Sequence, residues 1–188
     1  MPLIAFEGID GAGKSVQIKV LTVNLAEKRM FTKVKVLTEV RTPPPKGVDT
    51  PESWFAEQRR EYLVPEIKKA LEIYDLVILD RYYYSSMAYR SVKGGNYQDI
   101  KRHNEEFCPI PDLLFILDVD VELAIKRINF VRTPDSFETF DHLSKVSNVY
   151  RQMNFPYAVH VDSNGNPLTI SDKILRILLE RVDLHARA

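Results

Sequence analysis

Gly8-Ile9-Asp10-Gly11-Ala12-Gly13-Lys14-Ser15 sets glycines, a lysine and a hydroxyl at the spacing G-x-x-x-x-G-K-[ST]. An apolar run, Leu3–Glu7, precedes it, and a stretch with Ile18, Leu21, Leu25 and Ala26 on one helical face follows. A strand, a tight turn and a helix start in that order form a cradle for phosphate. The glycines admit positive φ and let backbone N–H groups point inward at an anion. The helix N-terminus adds partial positive charge. Lys14 has the reach for the β- and γ-phosphates, and the Ser15 hydroxyl is a hard oxygen suited to Mg²⁺. Gly8, Ile9, Asp10, Gly11, Ala12, Gly13, Lys14, Ser15 and Val16 are therefore candidates for holding a nucleotide's phosphates.

A second cluster ends another apolar run: Leu76-Val77-Ile78-Leu79-Asp80-Arg81. A carboxylate at the C-terminal end of a parallel strand faces the crevice where α/β ligands bind, so Asp80 is a metal candidate beside Ser15. Arg81 can grip a phosphate with its planar fork. The competing reading is a surface Asp–Arg pair, which the position at a strand end argues against. The base-reading motif N-K-x-D of GTPases is absent. Small kinases remain, with the second substrate in a cleft beside the loop. His103, His142, His160, His185 and the single Cys108 lack zinc-ligand spacing. Cys108 reads as a small buried hydrophobe.

These residues need a scaffold, and the rest of the chain supplies one. It has 188 residues, 45% hydrophobic and 28% charged, which suits one globular domain. Lys plus Arg is 26 and Asp plus Glu is 26, with no basic excess of the kind nucleic-acid binders show. No apolar stretch approaches a membrane span, no basic and apolar leader opens the chain, and one cysteine excludes an intrachain disulfide. These features point to a cytoplasmic protein with neither nucleic acid nor membrane as partner. Short apolar runs predict strands over 3–7, 33–37, 76–79, 113–119 and 158–161; runs that do not alternate suit a parallel sheet buried on both faces. Amphipathic stretches predict helices over 14–29, 50–63, 86–89, 98–107, 121–128, 139–153 and 171–182. Thr50-Pro51 is a helix start, Pro65 a kink or restart, Thr42–Gly47 an irregular loop with three prolines, and Asn164-Gly165-Asn166-Pro167 a turn.

Taken together, Phe6–Ser15, Asp80-Arg81-Tyr82-Tyr83-Tyr84-Ser85-Ser86-Met87-Ala88-Tyr89, Pro111–Asp120 and Asp135–Glu138 resemble the thymidylate kinase family over most of the chain. The resemblance implies an α/β, three-layer P-loop kinase fold: a five-stranded parallel sheet with helices on both faces and a small lid near 129–136. It implies a single nucleoside monophosphate kinase domain over 1–188 that moves the γ-phosphoryl group of ATP onto dTMP with Mg²⁺, and a homodimer formed through helices. By the same resemblance Phe55 stacks the thymine and Arg59, one turn on, donates to a base carbonyl; helix pattern alone would make Phe55 core and Arg59 a solvated charge. Arg41 is matched to the arginine on the acceptor phosphate, with Glu39 beside it. Asp10 is placed near the acceptor sugar and magnesium, Ser85 and Arg81 near the acceptor, and Tyr89 against the sugar 2′ position. The catalytic candidates are Lys14, Arg81, Asp10, Arg132 and Arg127. The family carries an extra arginine in the phosphate loop or in the lid. Gly11 and Ala12 occupy the loop here, so the lid must supply it from Arg127 or Arg132, and Ser136 stands where many relatives have arginine. Arg90 stands where the family usually has Gln, which implies relaxed pyrimidine choice that includes dUMP. The alternatives are a catalytically weak nucleotide-binding paralogue and a kinase for another deoxynucleotide.

Overall fold

The computed structural model describes residues 1–39, 51–134 and 138–182, with the side chains of 51 and 52 left aside. Five parallel strands form one sheet: β1 (Leu3–Glu7), β2 (Val34–Thr38), β3 (Leu76–Asp80), β4 (Leu113–Asp118) and β5 (Ala158–Asp162), in the order β2-β3-β1-β4-β5. β1 and β3 are buried along their whole length, and β4 nearly so. The edge strands β2 and β5 are mostly half-exposed. Burial on both faces is why the central strands read as unbroken Leu, Ile and Val rather than as alternation.

Helices cover both faces. α1 (Lys14–Glu27) packs on β1 and β3 and against α8 (Pro167–Arg181), which reaches β4 and β5. α3 (Val64–Ile73) lies on β3, and α7 (Phe140–Arg151) on β4 and α4 (Tyr83–Ser91). α2 (Pro51–Gln58), α5 (Tyr97–Glu105) and α6 (Val121–Val131) complete the set. The strand ends are level. Phe6 pairs with Asp80, and Asp118 with Asp162, so the chain leaves β1, β3, β4 and β5 at one edge. The sheet thereby delivers the phosphate loop and the Arg81 turn to one crevice, where the strand order changes direction.

Differences from the sequence reading have local causes. α8 begins at Pro167 rather than Ser171, because the Asn166 side chain accepts from Leu168 N and proline occupies the first turn. α4 runs over Tyr83–Ser91, beyond the expected 86–89. At Pro65 the helix neither breaks nor restarts. The chain widens into a π turn, Arg59–Leu63, and continues as α3. Proline has no N–H for the carbonyl one turn back, and the wider turn accommodates the lost bond. α6 carries residues 129–131 of the expected lid as helix. Arg41, Thr50 and the triple-proline loop lie outside the described residues, as do Asp135–Phe137.

Gly11 shows how closely the loop is packed. Its φ is +78°, and a Cβ there would lie 2.3 Å from the Ala124 carbonyl oxygen of α6. Gly11→Ala should therefore cost at least about 2 kcal/mol, from left-handed strain plus overpacking, and lower Tm by about 5 °C or more. Thermal melting checks this; an unchanged Tm contradicts it.

Candidate active site

The phosphate loop places Lys14 at the first turn of α1, where it is 6% exposed. Its ammonium donates to the carbonyls of Gly8 and Ile9, both at 2.8 Å. Burial, then the neighbouring Arg81 charge, pull its pKa down to about 7 against the opposing pull of Asp10, Glu7 and Asp80. Beside it the Ser15 hydroxyl donates to Asp80 Oδ2 at 2.8 Å. Two hard oxygens side by side below the loop are the donor set Mg²⁺ takes from protein when phosphates and waters supply the rest.

Arg81 follows β3 directly, in the left-handed region with φ +70°. Its guanidinium donates to Asp10 Oδ1 at 2.5 Å, to Gly8 O at 3.3 Å and to Ser85 Oγ at 3.1 Å. The Tyr89 hydroxyl donates to the other Asp10 oxygen at 2.8 Å. Burial alone would raise the Asp10 carboxyl, but Arg81 and Lys14 outweigh it and hold it at about 2. Asp10 is thus a fixed anion between an arginine and a tyrosine. Lys14, Ser15, Asp80, Asp10, Arg81, Ser85 and Tyr89, picked from two separate stretches of sequence, come together in one cluster.

The lid arginines differ. Arg127 donates to Gly11 O at 3.3 Å and to Ser163 O at 2.9 Å, bridging the loop and the end of β5. Arg132 is half-exposed and forks onto the buried Glu138 carboxylate, with Nη1 donating to Oε2 at 2.7 Å and Nη2 to Oε1. A cavity of about 690 Å³ opens between the loop, the end of α6 and the start of α8, and Lys14, Arg81, Arg127 and Arg132 all line it. That volume suits a nucleotide. Phe130 and Val131, 92% and 80% exposed, stand at its rim.

On the acceptor side Phe55 and Arg59 have different surroundings. Phe55 is half-buried, with the Arg90 guanidinium 5.7 Å from its ring centre. Arg59 is only 1% exposed. It pairs with Glu39, donates to Ser86 Oγ at 3.0 Å, and donates through Nε to Asn104 Oδ1 at 3.0 Å. Neither a solvated charge nor a freely reaching one, it starts the π turn and is held from three other elements.

Glu7, Asn104, Glu138 and Tyr150 were missed from sequence. Glu7 had a visible signal: a carboxylate closing the apolar run Leu3-Ile4-Ala5-Phe6 must find partners when buried. It is fully buried, and desolvation raises its pKa against Arg81 and its hydroxyl donors. Tyr150 sits at an ordinary core position of a helix and announced nothing.

The family model for thymidylate kinase matches residues 6–174. The chain belongs to the thymidylate kinase family. It is 32% identical to a thymidylate kinase of Akkermansia muciniphila, over 95% of this chain and 92% of that one. It is 33% identical to a thymidylate kinase of Brachyspira hyodysenteriae, over 95% and 93%. It is 38% identical to a probable thymidylate kinase of Methanocaldococcus jannaschii, over 82% of each. The matched span runs from Phe6, late in β1, into the first half of α8, and it takes in the phosphate loop, the Arg81 turn, Arg127 and Arg132. Among the described residues, no helix is long and apolar enough to cross a membrane.

Proposed function

We propose that this thymidylate kinase family member transfers the γ-phosphoryl group of ATP to dTMP, giving ADP and dTDP, within a single domain over 1–188. The observation that carries the reading is the crevice itself. Lys14 of the donor loop and Arg81 of the acceptor side both donate to the Gly8 carbonyl, Arg81 and Tyr89 share the Asp10 carboxylate, and the Ser15–Asp80 pair lies within the electrostatic reach of Lys14. The acceptor phosphate has a second pKa near 6 and is mostly a dianion at neutral pH. Its oxygen forms the new bond to the γ-phosphorus as the bond to the β,γ-bridging oxygen breaks, and that electron pair leaves with ADP. No side chain needs to remove a proton. The protein's task is alignment and charge stabilisation. Lys14 takes the donor phosphates, Arg81 meets the acceptor phosphate, and Asp10 keeps Arg81 pointed into the crevice. Ser15 and Asp80 would hold Mg²⁺, which supplies charge neutralisation at the phosphates when bound. A coupled assay with ATP and a panel of nucleoside monophosphates tests the reading: turnover on dTMP supports it, and none on any acceptor overturns it.

Acceptor choice gives a sharper prediction. The Arg90 guanidinium sits beside the Phe55 ring proposed to stack the base. Arginine brings donors only, where glutamine would bring a donor and an acceptor for a carbonyl and a ring N–H. With that partner gone, the 5-methyl is the main difference between dTMP and dUMP, worth ~1 kcal/mol. The expected result is turnover on both, with dTMP preferred by about tenfold, and poor use of UMP through crowding by Tyr89. Arg90→Gln should lower KM for dTMP and dUMP alike. Measured kcat/KM values decide: a dTMP preference above about a thousandfold, over ~4 kcal/mol, contradicts the prediction.

The family resemblance further supports a cytoplasmic homodimer joined through helices. Sedimentation equilibrium reads it directly as a mass twice that of the chain. A paralogue without efficient transfer is the second reading, favoured by the engagement of Arg132 with Glu138; the same assay separates the two.

A further inference from the structure

Arg81 holds a backbone conformation that side chains larger than glycine adopt at a cost, and such a residue persists only where its surroundings over-determine it. α4 begins immediately afterwards, and its N-cap residue Tyr82 provides no side-chain cap. The free N–H groups of the first turn are met from elsewhere. Glu7 Oε1 accepts from Tyr82 N at 2.7 Å and from Ser85 N at 3.1 Å. Glu7 Oε2 accepts from Ser85 Oγ at 2.8 Å and from the Tyr150 hydroxyl of α7 at 2.7 Å. Ser85 Oγ in turn accepts from Arg81 Nη1 at 3.1 Å. One fully buried carboxylate on β1 therefore caps a helix more than seventy residues further along the chain, closes the turn that contains Arg81, and anchors the hydroxyl on which the guanidinium rests.

We propose that Glu7 is a positioning residue for phosphoryl transfer: it sets the place of the Arg81 guanidinium through the α4 N-terminus and Ser85, without touching substrate. The proposal rests on the reading of Arg81 as the group that meets the acceptor phosphate. Four donors converge on Glu7, and an ionised carboxylate can accept all four. A glutamine of the same shape cannot. Its oxygen can take the two N–H groups, but its amide nitrogen must donate to the two hydroxyls that formerly donated to it. Ser85 O–H can turn toward the Tyr150 oxygen, 3.2 Å away, but the Tyr150 proton is then left without this acceptor. The Ser85 hydroxyl must reorient, and the Arg81 rest moves with it.

A double-mutant cycle tests this. Glu7→Gln should lower kcat at least about tenfold with KM for ATP within about threefold, because the donor loop keeps its own contacts. Arg81→Ala should lower kcat further. In the Arg81→Ala background, Glu7→Gln should add less than about twofold, since residues acting through one group are non-additive. A purely structural role for Glu7 predicts losses that multiply. Should Glu7→Gln fail to fold, as circular dichroism would show, Ser85→Ala breaks the same link while keeping the carboxylate, and it too should add nothing to Arg81→Ala. Parent-like kcat in Glu7→Gln, or multiplying losses in either cycle, overturns the proposal while leaving Arg81 in place. Parent-like kcat in Arg81→Ala overturns the reading of Arg81 itself, and Glu7 with it.

Discussion

Lys14→Ala should lower kcat/KM by roughly 10²–10³-fold, about 2.7–4 kcal/mol, the usual worth of one charge aimed at a transition state. The fold should survive, because among the described residues the ammonium bonds only to the carbonyls of Gly8 and Ile9 in its own loop. Steady-state kinetics with circular dichroism measure both parts; turnover within about tenfold of the parent, ~1.4 kcal/mol, refutes the role. The position of Lys14 also sets a pH dependence. Its pKa lies near 7 in the free protein, lowered by burial and Arg81. The ammonium is the form that meets ATP, and it is lost as pH rises through that value. kcat/KM for ATP, which reports groups of the free enzyme, should therefore decline between pH 7 and 9. kcat should hold, because bound phosphates restore the proton to Lys14. A flat kcat/KM profile across that range contradicts the assignment.

How far these residues could be read in advance depended on how local their reasons are. Lys14 acts through Gly8 and Ile9, six and five positions away, and Gly11 and Ser15 share its motif, so spacing exposed all three even though Gly11 meets Ala124 and Ser15 meets Asp80 far along the chain. The central strands were legible for a similar reason, since burial on both faces writes itself as a continuous apolar run. Arg59 was not legible in this way. Its partners Glu39, Ser86 and Asn104 lie 20, 27 and 45 positions away, and helical periodicity placed it on the solvated side. Glu7 was visible as an oddity in an apolar run, but its purpose depends on Ser85 and Tyr150, which only the packed sheet and α7 bring to it. The start of α8 was missed because Asn166-Pro167 reads equally as a turn and as a cap, and the structure uses it as a cap.

The lid arginines carry the second large effect. A donor loop with Gly11 and Ala12 provides no arginine of its own, so added charge on the moving phosphoryl group must come from α6 or just beyond it. Arg127 rests on two neutral carbonyls, Gly11 O and Ser163 O, one of them in the phosphate loop itself. Turning onto a phosphate exchanges those bonds for charge-assisted ones, which are stronger. Arg132 starts from a different balance. It is forked onto Glu138, whose side chain is 2% exposed, and leaving would break a bidentate, charge-assisted pair with a buried carboxylate. The two residues both line the cavity, yet only one can turn inward without that penalty. Arg127→Ala should therefore lower kcat by roughly 10²–10³-fold, whereas Arg132→Ala should lower it by less than about tenfold and act chiefly on the stability of the segment tied to Glu138. The dTMP affinity should stay close to the parent's in both, because Arg127 is held on Gly11 and Ser163 and Arg132 on Glu138, beside the donor loop and α6. Single-turnover kinetics with measured dTMP binding make the comparison. A larger loss in Arg132→Ala than in Arg127→Ala would show that the Glu138 pair opens during turnover and that Arg132 is the transition-state donor. Little loss in either would favour the paralogue that binds nucleotide without efficient transfer.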